Sequence, residues 1–190
     1  MNITSGALLT DLYELTMAQA YLAQGMTDIA VFEFFVRKLP PQRNFFMAAG
    51  LEQVLSYLEA FQFSDADIAW LDQTGGFRPA SLNALRAMRF TGEVHAMPEG
   101  SLFFPHEPIL RITAPLPQAQ LVETRVMNLL NFQTMVASKA CRSVLVAGNK
   151  PLIDFGLRRA HGAEAGLLAA RAAYLAGLAG TSNVSAGARF

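Results

Sequence analysis

The 190 residues predict a mixed α/β chain, an α+β unit followed by the opening of a parallel strand–helix–strand series. Three observations point there. Apolar alternation with a period of two at 30–37, and in short runs between 91 and 113, predicts a small, mainly antiparallel sheet. A three-and-four spacing from 118 to 147 predicts one long helix. Beyond it, a short apolar run, a nearly all-apolar helix and a Gly-Thr-Ser-Asn segment read as β, α and β in turn.

Residues 10–24 (TDLYELTMAQAYLAQ) read as a helix, with Thr10 as candidate cap. Its partly periodic apolar face is Leu12, Leu15, Met17 and Tyr21, and Gly25 ends it. The strand at 30–37 alternates Phe32, Phe34 and Val36 against Glu33, Phe35 and Arg37, and Leu39-Pro40-Pro41 stops it. Helices are predicted at 50–61, 64–73 and 79–89. Ser64 three residues before Asp67 resembles a capping box, and Pro79 suits a first turn. Thr91–Met97, Ser101–Phe104 and Pro108–Thr113 read as short strands between proline-containing turns.

The long helix from Gln118 to Ala147 presents Val122, Val126, Leu129, Leu130, Val136, Ala140 and Val144, and Gly148 marks its end. At ~1.5 Å per residue it spans about 45 Å. Leu152–Phe155 reads as a strand. Residues 163–176 read as a helix with only Glu164 and Arg171 charged, expected to be buried on most sides. By chain order this gives an N-terminal α+β domain over 1–116 and a second domain over 117–190. A parallel strand needs neighbours and helices on both faces. The series is therefore expected to be truncated at Phe190, before a sheet or barrel could close.

Fifteen Lys+Arg balance fifteen Asp+Glu. With no basic excess to neutralise phosphates, the composition argues against a nucleic-acid binder. Charged residues are 16% of the chain, where about 25% is usual. So few charges cannot cover a monomer of this size, so part of the surface is expected to face another subunit or a further piece of chain. Met1 to Thr10 lacks the basic start of a signal peptide, and no run reaches the ~18–20 apolar residues of a membrane span. A cytoplasmic location and no membrane partner are expected. The single Cys141 excludes an internal disulfide framework and a multi-cysteine zinc site, and the three histidines lack ligand spacing. No metal-ligating residue is predicted.

Four segments could carry chemistry. Tyr13 could stack on a flat heteroaromatic ring, with Asp11 beside it to orient groups, or both could serve a helix cap and core. Arg158 and Arg159 follow a predicted strand end, where parallel sheets bind ligands and arginine forks suit phosphate oxygens; they could equally be a solvated pair. Thr181, Ser182 and Asn183 sit at the next strand end, where free backbone N–H groups can cradle an anion. Lys139 and Arg142 read as a solvated cationic stripe, with Cys141 off the apolar face.

Read together, TDLYELTMAQAY at 10–21, FEFFVRKLP at 32–40, EGSLFFPHEPILRI at 99–112, QAQLVETRVMNLLNFQT at 118–134, DFGLRRAHG at 154–162 and GTSNVSAG at 180–187 resemble the nicotinate phosphoribosyltransferase family. The resemblance implies a type II phosphoribosyltransferase fold, an N-terminal α/β domain with an irregular α/β barrel. It implies that nicotinate and phosphoribosyl pyrophosphate give nicotinate mononucleotide and pyrophosphate, the entry step of NAD salvage from nicotinate. ATP is then a co-substrate, Mg²⁺ the expected ion, and no organic cofactor is tightly bound. The family's phosphorylated histidine lies in a GT-x-x-H-S type motif that these 190 residues lack, so the chain alone is expected to be inactive. Carried over by position, Tyr13 packs on the nicotinate ring across a homodimer interface with shared sites. Arg158 and Asp11 take catalytic roles, and Arg159, Thr181, Ser182 and Asn183 line the substrates with Arg158. The rival readings are an inactive assembly module that keeps the dimer surface, and an enzyme of the same kind acting on nicotinamide.

Overall fold

The computed structural model describes residues 6–190, so residues 1–5 of the stretch read against a signal peptide lie outside it. In chain order the elements are α1 (Leu12–Ala23), β1 (Ile29–Phe34), β2 (Phe46–Met47), α2 (Leu51–Glu59), α3 (Asp65–Gln73), α4 (Pro79–Ala87), β3 (Glu93–Ala96), β4 (Leu102–Phe103) and β5 (Leu110–Pro115). The long α5 (Leu116–Ala147), β6 (Ile153–Asp154), a 3₁₀ turn (Leu157–Arg159), α6 (Ala163–Leu175), β7 (Gly180–Thr181) and α7 (Val184–Gly187) complete it. These form two compact units, each drawn from three stretches of chain. One takes residues up to Phe34, Glu52–His95 and Leu110–Met127; the other takes Phe35–Leu51, Ala96–Ile109 and Asn128–Phe190. The division by chain order at 116/117 is a different cut, because it falls inside the stretch 110–127 of the first unit.

In the first unit β5 lies between β1 and β3, and β1 pairs antiparallel with β5 from Ile29↔Pro115 to Phe34↔Leu110. That register places Leu110, Ile112 and Ala114 in the core, while Glu33 meets Arg111 across the strands at 2.6 Å. The sheet sits two residues later than the alternation at 108–113 predicts. Ser64 and Asp67 form the predicted capping box, each backbone N–H donating to the other side chain at 2.8 and 3.1 Å. Pro79 opens α4, and Gly25, at φ +68°, occupies the left-handed position just past α1.

The apolar face expected for α1 is buried only in part, at Leu15 and, half-buried, Met17 and Tyr21. Leu12 is 68% exposed, whereas Glu14, Leu15 and Ala18 are buried. Thr10 does not cap the helix; Asp11 stands at the N-cap without a side-chain cap bond, and the Thr10 hydroxyl donates to Glu14 instead.

In the second unit β2 pairs antiparallel with β4, Phe46 stacking on Phe103 with ring centroids 5.4 Å apart. This two-stranded sheet is separate from the β1–β5–β3 sheet, and β2 went unread in the sequence. A core of Ala49, Ala137, Cys141, Ala172 and Ala176 packs against Phe45 and Met47. Cys141 is therefore a core residue, one turn from Ala137 on the buried side of α5. Lys139 is exposed, but Arg142 is no member of a solvated stripe. Its guanidinium donates to the Phe45 carbonyl at 2.8 Å and to the Ser138 carbonyl, and lies 4.1 Å from the centre of the Phe45 ring. The helix α6 is buried along Ala170–Ala173, including its arginine, while Tyr174 is exposed. The strands β6 and β7 pair in parallel across α6, as the strand–helix–strand reading expects.

Candidate functional site

In the second unit the parallel pairing Ile153↔Gly180 and Asp154↔Thr181 brings two strand ends side by side. After β6 the chain turns through Phe155 and Gly156 into the 3₁₀ turn that carries Arg158 and Arg159. After β7 it turns through Ser182 and Asn183 into α7. Asp154 joins the two turns. Its Oδ1 accepts from the Gly156 N–H at 2.9 Å and its Oδ2 from the Thr181 hydroxyl at 2.7 Å. Its carbonyl accepts from the Ser182 N–H at 2.8 Å.

Asn183 is buried. Its Oδ1 accepts from the Ala186 N–H at 3.2 Å, capping α7, and its Nδ2 donates to the Gly166 carbonyl at 3.4 Å. Its backbone N–H donates to the Thr181 hydroxyl oxygen at 3.0 Å. Both Thr181 and Asn183 thus serve the turn they belong to, and because the Ser182 and Asn183 N–H groups are already bonded within the protein, they are not the free anion cradle that the sequence reading expects. Ser182, Arg158 and Arg159 are exposed, and neither arginine's guanidinium has a hydrogen-bond or ion-pair partner among the described residues. Two guanidinium forks with no carboxylate to neutralise them, at the C-terminal ends of parallel strands, suit anionic oxygens.

Asp11 and Tyr13 belong to the other unit. Asp11 Oδ2 accepts from the Thr124 hydroxyl at 3.0 Å. That hydroxyl also lies 2.8 Å from Glu14 Oε1, which accepts the Thr124 N–H at 3.2 Å. Tyr13 is 48% exposed, so it is not a core tyrosine, and its hydroxyl donates to Glu14 Oε1 at 3.4 Å. Loss of hydration, then the charges of Glu123, Glu14 and Asp11, push the phenol up to about 12. The ring therefore stays a neutral, partly exposed aromatic face at neutral pH.

Sequence reasoning missed three residues around which these regions are built. Asp154 opens the DFGLRRAHG motif, where an acid followed two residues later by glycine after a strand is a local signal for such a turn. Buried Glu14, and Glu99 paired with Arg171 at 2.7 Å, left no local signal. Among the described residues no three of His, Cys, Asp or Glu gather as metal ligands would, and no helix is long and apolar enough to cross a membrane.

Residues 8–131 match the family described as the nicotinate phosphoribosyltransferase (NAPRTase) N-terminal domain. The chain belongs to the nicotinate phosphoribosyltransferase family. It is 52% identical over 185 residues to nicotinate phosphoribosyltransferase pncB2 of Mycobacterium tuberculosis, covering 97% of this chain and 40% of that relative. It superposes on the crystal structure of human nicotinic acid phosphoribosyltransferase with a TM-score of 0.86 at 42% identity, over 94% of this chain and 37% of that one. Against nicotinate-nucleotide pyrophosphorylase from Pyrococcus furiosus the TM-score is 0.75 at 25% identity, over 95% and 39%. The mixed α/β fold is that of these type II phosphoribosyltransferases, and the chain spans about two-fifths of their length.

Proposed function

We propose that the protein acts in NAD salvage as a nicotinate phosphoribosyltransferase. The observation that carries this is the pair of unpartnered arginines, Arg158 and Arg159, beside Ser182 at two adjacent parallel strand ends in a chain of this family. In the proposed reaction the ring nitrogen of nicotinate forms a bond to C1 of the ribosyl group. The C1–oxygen bond to pyrophosphate breaks, and its electron pair leaves with the pyrophosphate. Negative charge grows on that leaving group, and fixed cations aimed at it lower the barrier. Arg158 and Arg159 supply such cations, and the neighbouring turn adds the exposed Ser182 side chain beside the same strand ends.

Tyr13 takes the part of an aromatic face for the pyridine ring, offered by one subunit of a homodimer to its neighbour's site. Its half-exposure beside the exposed Leu12 supports a partner surface there. Asp11 orients groups near that ring. ATP enters this reading as an energy-coupling co-substrate and Mg²⁺ as an ion of the phosphorylated substrates. The described residues gather no metal cage of their own, so no step is assigned through the ion. We place the protein in the cytoplasm. We also propose that these 190 residues alone do not turn over, because β6 and β7 form only a two-stranded parallel sheet, without the neighbouring strands that such a sheet needs.

The test is formation of nicotinate mononucleotide by the protein at its full natural length, with nicotinate and phosphoribosyl pyrophosphate, with and without ATP and Mg²⁺. Product is expected with nicotinate, and more of it with ATP. Arg158→Ala is expected to lower kcat/KM for phosphoribosyl pyrophosphate by the equivalent of about 1.5–3 kcal/mol, the range for a charge-assisted hydrogen bond. Product with nicotinamide alone reassigns the base. No product with either overturns the reading.

A further inference from the structure

We propose that Asp154 is a positioning residue, which sets the arginine turn against the Thr181–Asn183 turn; this rests on the function proposed above. A carboxylate accepts on both oxygens, and here each oxygen serves a different turn. Oδ1 holds the Gly156 N–H at 2.9 Å, and the Gly156 carbonyl in turn accepts the Arg159 N–H at 2.9 Å. Oδ2 holds the Thr181 hydroxyl at 2.7 Å, whose oxygen accepts the Asn183 N–H at 3.0 Å. A single chain of hydrogen bonds thus runs from the backbone of Arg159, through Asp154, to Asn183. Asn183 is itself anchored on α6 through the Gly166 carbonyl.

The local geometry is built for this contact. A Cβ on Gly156 would lie 3.0 Å from Asp154 Oδ1, close enough that the carboxylate would have to shift to admit it. With strands of two residues, the ladder alone fixes little of the relative placement of the two turns. The side-chain bridge supplies the missing constraint, and it does so without neutralising Arg158 or Arg159, neither of which touches it. Asp154 acts through the arginine turn and is assigned no contact with substrate.

The experiment measures steady-state kinetics and pyrophosphate binding by calorimetry for the full-length protein, with Asp154→Ala, Asp154→Asn, Thr181→Val and Thr181→Ser. Asp154→Ala is expected to weaken pyrophosphate binding and raise KM for phosphoribosyl pyrophosphate about tenfold or more, the size of a lost hydrogen bond to a charged group. The KM for nicotinate should move less. Thr181→Val should act in the same direction, Thr181→Ser should restore most of the loss, and Asp154→Asn should fall between. The Asp154→Ala/Thr181→Val double variant should be no worse than its worse parent. If Asp154→Ala does not fold, Asp154→Asn and Thr181→Val carry the test. Folded variants that bind pyrophosphate like wild type, or effects of Asp154 and Thr181 that simply add, overturn the role of Asp154 alone. A wild-type protein that neither turns over nor binds pyrophosphate overturns the functional reading, and this role with it.

Discussion

Each unit of the chain withdraws one carboxylate from water, and the two respond in opposite directions. Glu14, in the first unit, is fully buried and is met by the hydroxyls of Thr10 and Thr124 and by the Thr124 N–H. Burial pushes its carboxyl above the usual range, and those hydrogen bonds do not bring it back. Glu99, in the second unit, is met by the Arg171 guanidinium at 2.8 and 2.7 Å and by the N–H groups of Gly50 and Leu51 at 2.5 and 3.2 Å. Burial pushes that carboxyl up as well, but the arginine and the amides overcome it and hold it below the usual range. Both are surrounded by donors. What differs is a formal positive charge, which hydroxyl dipoles do not replace.

The largest expected effect tests that charge. Arg171→Ala should cost about 3–5 kcal/mol, because it leaves Glu99 half-buried and unpaired. Urea unfolding at neutral pH measures it. A loss below about 1 kcal/mol would mean that water, not Arg171, solvates Glu99. Next comes Gly50→Ala, at the residue whose N–H feeds Glu99. Gly50 has φ +108°, and a Cβ there would lie 2.8 Å from the Leu129 carbonyl oxygen, so a cost of about 1–3 kcal/mol is expected. A substitution without effect on the melting temperature would show that the loop yields easily.

The comparison also predicts opposite pH limbs. Glu99 titrates lower when folded than unfolded, so its contribution is present above the ordinary glutamate value of about 4.3 and is lost as pH falls through its lowered value. Glu14 titrates higher when folded. Its contribution is full below about 4.3 and is lost as pH rises through its raised value. Glu14→Gln should therefore change stability by about 1 kcal/mol or less at neutral pH, and its stability relative to wild type should improve as pH rises above about 4. Glu99→Gln should show the reverse slope relative to wild type. Parallel slopes for the two variants would break the comparison. The smallest effect belongs to Arg86→Ala. It removes an exposed pair with Asp65 at 3.2 Å, and a thermal melt should show a change within about 0.5 kcal/mol.

The features legible in the sequence are those completed within a few residues. Ser64 reads as a cap because the Asp67 N–H it accepts is three residues on. Gly25 and Gly148 read as helix ends because their positive φ is a property of one residue. The strand ends before Arg158 and at Gly180-Thr181 are legible as a short apolar run and a small polar segment opened by glycine, so both turns of the candidate site stand in the sequence. The bond that joins those turns runs from Thr181 to Asp154, 27 residues earlier, and sequence spacing carries no trace of it.

The same boundary explains the misreadings. Phe46–Met47 is too short to show a period, and its strand exists because Phe103 lies opposite. The periodic face of α1 counted Leu12 inside and Glu14 outside. The burial of Glu14 depends on Thr124, 110 residues on, whose hydroxyl and N–H make a buried carboxyl tolerable. Arg171 looked like the polar exception on an apolar helix and became part of its buried side, because Glu99, 72 residues away, meets it with both oxygens. Local periodicity and caps follow from backbone geometry and side-chain size, which each residue brings with it. Whether a charge is buried depends on a partner at long sequence separation, since desolvation is tolerated only where the folded chain supplies the matching donors.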